Sequence, residues 1–179
     1  MSSLNNKIYR GNVFRTKKFA IHCNENPEAE QLYQALIEHL KYGYSPSIGK
    51  DALFARPNEA LKLNIRHAHV DAGDYEPEES NNKHSAKESA WKEWRQGYIF
   101  KIPTSNSFLI YAVNKNRDAL VMDYIDRDAH SVTKSTQYMD QYIEITYYFL
   151  DHTKCKEMPY DEDLFDDKWL IANQSNPTV

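Results

Sequence analysis

One apolar stripe constrains this chain more than any other feature. In residues 28–42, Leu32, Leu36, Ile37 and Leu40 recur at spacings of three and four, the period of a helix with a single buried face. Asn26-Pro27 opens the segment and Gly43 stands where a C-terminal cap belongs, so both ends are signposted. Such a helix needs an apolar surface to rest on. The sequence supplies strand candidates for it at 12–22, 61–70, 97–102, 107–113 and 119–124.

The first candidate mixes Val13, Phe14, Thr16, Phe19 and Ile21 with basic residues. The second alternates Leu61, Leu63 and Ile65 with polar neighbours and runs into His67-Ala-His69-Val70. Residues 114–118, Asn-Lys-Asn-Arg-Asp, form a turn-rich connection that should pair the last two strands antiparallel. A second helix is expected at 135–150, where Tyr138, Met139, Tyr142, Ile143, Ile145 and Phe149 make a broad apolar face. Asp51-Ala-Leu-Phe54 reads as a short helical turn with Asp51 as its N-cap. Trp91, Trp94 and Tyr98 could stack on bases, but their spacing of three and four residues also fits a buried helix face, and the core reading is preferred for all three. Residues 71–87 are polar and acidic, contain Pro77 and have no periodicity, which marks a long surface insertion. The tail carries Leu164, Phe165, Trp169, Leu170 and Ile171 in an acidic stretch that could add an amphipathic helix, and 173–179 reads as frayed.

At 179 residues the chain suits one domain with additions. We expect a domain over 1–152 with a surface insertion at 71–90, and an acidic, partly disordered extension over 153–179. Neither a membrane-spanning run nor a secretory signal is evident, and Cys23 and Cys155 lack metal or redox spacing, so a cytoplasmic protein with reduced thiols is expected. The net charge of -4 argues against a nucleic-acid binder. Its distribution weakens that objection, because residues 71–93 and 151–168 each hold seven acids and three bases, and the remainder is basic by four.

Five short motifs, in order, carry a resemblance. Val13-Phe-Arg-Thr-Lys17, Gly43-Tyr-Ser-Pro46 with Gly49-Lys-Asp-Ala-Leu-Phe54, His67-Ala-His69, Leu109-Ile-Tyr111 and Asp126-Arg-Asp-Ala-His130 are together similar to the YafO-type toxins of the RelE/ParE superfamily. The resemblance implies an α+β fold, a RelE-like antiparallel twisted sheet with helices packed on one face. It also implies a ribosome-dependent endoribonuclease that cuts messenger RNA without a metal or cofactor and is neutralised by an antitoxin. Three features depart from the family pattern. Lys101 stands where an arginine is expected, the acidic insertion is longer, and the tail after residue 151 has no counterpart.

Metal-free RNA cleavage needs a base for the ribose 2′-hydroxyl, cations for the phosphate and an acid for the leaving oxygen. His67 and His69 project from one face of a strand and are candidates for base and acid, with His130 as a further candidate. The plainer alternative is a pair of surface or packed core imidazoles, and His130 could equally cap a helix. Lys50, Arg66, Lys101, Arg117, Lys17 and Lys18 are candidate phosphate contacts, although Arg66 points away from the two histidines and each could be an ordinary exposed base. Asp51 and Tyr111 are supporting candidates, with Tyr111 more at home as a packed strand residue. A zinc hydrolase using His67 and His69 with His84 or His130 lacks ligand spacing. The acidic segments leave a second reading, a non-catalytic module binding a protein or the translation machinery.

Overall fold

Asn26 separates two helices and caps the second of them. The computed structural model describes residues 7–82 and 86–171. Asn26 Oδ1 accepts the backbone N–H groups of Glu28 and Ala29, and Pro27 occupies the first turn of α2 (Pro27–Tyr42), where its missing N–H costs nothing. Gly43 ends α2 at φ 77°, a left-handed conformation that a side chain disfavours. The strand expected over 12–22 is shorter than its composition suggested. β1 is only Val13–Arg15, because the Thr16 hydroxyl accepts the Phe19 N–H and starts α1 (Lys17–Glu25).

The remaining elements are β2 (Ile48–Leu53), α3 (Asn58–Lys62), β3 (Ile65–Val70), α4 (Glu88–Arg95), β4 (Phe108–Val113), β5 (Ala119–Ile125), α5 (Ala129–Val132) and α6 (Thr136–Thr153). The expected helical turn at Asp51 is instead strand β2. Leu61 belongs to helix α3 rather than to β3, and 97–102 forms no strand. Among the described residues after α6, only Asp167–Trp169 is helical, as one 3-10 turn.

The five strands form one sheet in the order β1-β5-β4-β3-β2. All neighbours pair antiparallel except β1 with β5, which are parallel. The α+β class stands, and the sheet is mixed rather than wholly antiparallel. Both faces are covered, where helices on one face were expected. Phe19, Leu32, Leu36 and Leu40 of α1 and α2 pack on Ala68, Val70, Leu109, Tyr111 and Val121. On the other face Met139, Tyr142, Phe149 and Leu150 of α6, with Ala60 of α3, pack on Ile65, Phe108, Ile110, Leu120 and Met122. Two helical layers let β4 be buried along its whole length, which matches the unbroken apolar run Phe108–Val113.

Helix α4 leads out of the insertion, and its Trp91 and Trp94 are buried as the sequence favoured, with Trp94 Nε1 donating to the carbonyls of Ser45 and Ile48; Tyr98, expected in the same core, lies past the helix end and is 54% exposed. Gly49 is required beneath it, since a Cβ there would lie 2.3 Å from Pro103 O and 2.9 Å from the Trp91 ring. Met158, Leu164 and Trp169 of the extension are buried in the α1–α2 core. The expected fraying at 173–179 and residues 83–85 of the insertion lie outside the described residues.

Candidate active site

The alternation of β3 sends its side chains to two chemically different places. Ile65, His67 and His69 share the α6 face with Ala112, Ile110 and Phe108, their partners on β4. Arg66, Ala68 and Val70 go to the other face. Because β4 and β5 are antiparallel neighbours, the segment 105–107 entering β4 meets the turn leaving β5, and that turn brings His130 on α5 to the same end of the sheet. His67 and His69 have ring centroids 5.3 Å apart, and His69 and His130 are 5.4 Å apart. Phe108 is a common wall for all three, with centroid distances of 4.6, 4.6 and 4.7 Å. Phe54 covers the other side of His67 at 4.5 Å.

The three imidazoles have different surroundings. His69 is only 3% exposed, and its Nδ1 lies 2.8 Å from Ser105 O and 2.9 Å from Ser105 N. His67 and His130 are half-buried. For His130 the tautomer follows from its partners. Asn106 Oδ1 accepts the His130 backbone N–H at 3.0 Å, and a backbone N–H can only donate, so the atom facing His130 is the amide oxygen. The same oxygen is 3.0 Å from His130 Nδ1, which must therefore carry a proton, and in the neutral ring Nε2 holds the lone pair. Asn106 O also accepts the Ala129 N–H. Neither Asn106 nor Phe108 was singled out from the sequence, where nothing in their spacing marks them.

Burial pushes His67 down to about 4, with His130, Lys50 and Arg66 adding to the effect and Asp51 opposing it. Burial and the neighbouring His67 push His69 down to about 3, against the Ser105 hydrogen bond. Both rings are thus neutral at physiological pH. In the unfolded chain they titrate near 6.5, so above that pH they contribute nothing to the pH dependence of stability. As pH falls below 6.5 the unfolded state binds protons that the folded state refuses until about pH 4, and stability is lost. At pH 5 the expected loss relative to pH 7 is about 2 kcal/mol for each ring. Denaturant midpoints measured at the two pH values test this, and an equal loss in a His67→Leu/His69→Leu chain would refute the assignment.

On the opposite face Asp51 Oδ1 accepts from Arg66 Nε at 3.1 Å and Oδ2 accepts the Tyr111 hydroxyl at 2.5 Å, with His39 Nε2 3.5 Å from Oδ2. Burial raises the Asp51 carboxyl, but Arg66, His39 and Tyr111 outweigh it and hold the group well below the usual carboxylate range. This corrects two expectations. Asp51 is no helix cap, and Arg66 is spent on Asp51 rather than on phosphate. Tyr111 is buried in the core. Arg117 is corrected too, since it is 4% exposed and donates to the carbonyls of Leu164, Arg10 and Leu40. Lys101 lines a recess with Ser80, Asn82 and Lys87, and Lys17 and Lys18 line a groove between β1 and α6; none of the three imidazoles lines either. Among the candidate cations, Lys50 is exposed and acts electrostatically on both His67 and His69. His84 lies outside the described residues, and among those described no group of three or more His, Cys, Asp or Glu could hold a metal ion.

The family described as toxin YafO, type II toxin-antitoxin system, matches residues 31–151, from within α2 to within α6. The chain belongs to the YafO toxin family. It is thus the toxin of a type II toxin-antitoxin system, and a cognate antitoxin is implied. The matched span contains His67, His69, His130, Asn106 and Lys50, while β1, α1 and the extension lie outside it. No curated protein and no solved structure matches the chain. Among the described residues of this YafO-family toxin, no helix is long and apolar enough to cross a membrane.

Proposed function

We propose that this YafO-family toxin is a ribosome-dependent, metal-independent endoribonuclease that cuts messenger RNA in the cytoplasm. The reading is carried by one observation, the gathering of His67, His69 and His130 around Phe108 at one end of the sheet, with Lys50 nearby. A neutral imidazole takes the proton of a ribose 2′-hydroxyl, whose oxygen attacks the adjacent phosphorus. The phosphorus–O5′ bond breaks, and a protonated imidazole supplies the proton to that oxygen. The products are a 2′,3′-cyclic phosphate and a 5′-hydroxyl.

His67 and His130 are the half-buried pair suited to these transfers, and His69 is the buried ring held between them. Lys50 supplies positive charge to the phosphate. An arriving phosphodiester raises the proton affinity of every ring beside it, which brings a base that is weak in the free protein closer to its working range. Presentation of the messenger by the ribosome makes a large basic surface unnecessary.

Mapping 5′ ends of total RNA after induction tests the proposal. New 5′-hydroxyl ends are expected within translated messages, and their formation should survive chelation of divalent ions. A second reading has one observation in its favour, the recess beside Asn106 lined by Asp74, Glu76, Asp126 and Asp128 against the single cation Arg127, whose net charge repels phosphate. A module that blocks translation by binding alone would arrest growth with no new ends.

A further inference from the structure

An apolar groove of about 650 Å³ lies between the β1–α1 junction and α6. Leu120 and Met122 of β5 belong to its lining, and Ile145 and Phe149 of α6 form one wall. Across from α6 stands Phe14, 45% exposed, and at the rim Tyr148 is 75% exposed. Aromatic rings left in water around an apolar recess mark a surface that is unfinished in the isolated chain.

Shape and charge specify what completes it. The α6 wall runs from Gln141 to Thr153, a continuous stripe of about 18 Å along the helix axis, which suits a three-turn helix laid alongside and exceeds what a compact small molecule needs. Lys17 and Lys18 stand at the mouth, both exposed, and neither forms an ion pair among the described residues. Arg15 is paired with Glu30, and Asp123, the one carboxylate in the lining, accepts the Tyr142 hydroxyl at 2.7 Å. The uncommitted charge at the mouth is therefore positive. Single-stranded RNA would also meet lysines favourably, but the floor is aliphatic and none of the three imidazoles lines the groove.

We propose that this groove seats an acidic amphipathic helix of the cognate antitoxin, with apolar side chains at i, i+4, i+7 and i+11 in the cleft and carboxylates against Lys17 and Lys18. The inference rests on family membership, which implies the partner, and is independent of whether the toxin cuts RNA.

The test is calorimetric titration of the purified full-length toxin with its co-produced antitoxin. The Lys17→Glu/Lys18→Glu chain is informative because acids in the first turn of α1 favour the helix, so the fold survives the reversal. Antitoxin affinity should fall about 10- to 100-fold in that chain and in Tyr148→Glu, and salt should weaken the wild-type complex more than the reversed one. In cells, Tyr148→Glu should arrest growth even with the antitoxin present. Affinities within twofold of wild type in folded variants would overturn the proposal. So would a selective loss of binding to a single-stranded RNA oligonucleotide, or wild-type self-association that Tyr148→Glu abolishes.

Discussion

Alanine at His67 or at His130 is expected to lower messenger cleavage about 100- to 10,000-fold, the range over which a positioned proton-transfer group contributes. Each ring is half-buried and flanks the sealed His69, so each can meet a substrate while its orientation is set by neighbours. His67 is held between Phe54 and Phe108, and His130 by Asn106. Truncating either removes a proton carrier without disturbing Asp51 or Arg66 on the other face. The measurement is the yield of new 5′ ends per induced protein, with growth arrest as a parallel readout. With His67 pushed down to about 4 in the free protein, loss of the neutral base should not limit kcat/KM on the acid side until below about pH 5. If alanine variants of all three histidines arrested growth as fully as wild type, the catalytic assignment would be wrong even if the family function held.

Asp51→Ala should produce the largest loss of stability of any single change on the sheet, about 3–5 kcal/mol. The Arg66 guanidinium would then keep Asn64 Oδ1, 3.4 Å from Nη1, but lose its carboxylate, and the Tyr111 hydroxyl would lose its acceptor in the core. A chain of this length converts each kcal/mol into a shift of about 2–4 °C in melting temperature, so a drop on the order of 10 °C is expected. Arg66→Met with Asp51→Leu should recover much of it, because removing both charges leaves no unpaired ion. A melting temperature unchanged in Asp51→Ala would show that the pair is not structural. Loss of cleavage at full stability would instead return Asp51 to the chemistry.

Much of the fold can be read along the chain. The stripe in α2, the Asn26 and Gly43 caps, the β4–β5 hairpin and the apolar face of α6 all follow from periods of three to four or two residues, and local geometry enforces those periods whatever the tertiary surroundings. The misreadings have local causes as well. Residues 17–22 have strand-like composition, but Thr16 offers its hydroxyl to the Phe19 N–H and turns the chain into helix α1. Asp51 reads as a cap because Asp is among the residues favoured at helix N-termini, whereas its acceptors are satisfied by Arg66 and Tyr111, 15 and 60 residues away.

The candidate site divides in the same way. That His67 and His69 share a face, with Arg66 opposed, is a consequence of strand alternation and was legible without coordinates. That His130 joins them depends on β4 and β5 being adjacent and antiparallel, and on Asn106 reaching across to the turn after β5. Burial decided the fate of the cations: Arg117 and Lys50 both read as cations in the sequence, yet one is spent on three backbone carbonyls and the other is exposed to solvent and acts on the imidazoles. The sequence by itself determined which elements form and which face each strand residue takes, because those are short-range properties of the backbone. Only the tertiary structure decided which charges are left for a substrate, because a charge is consumed by whatever distant group the fold packs against it.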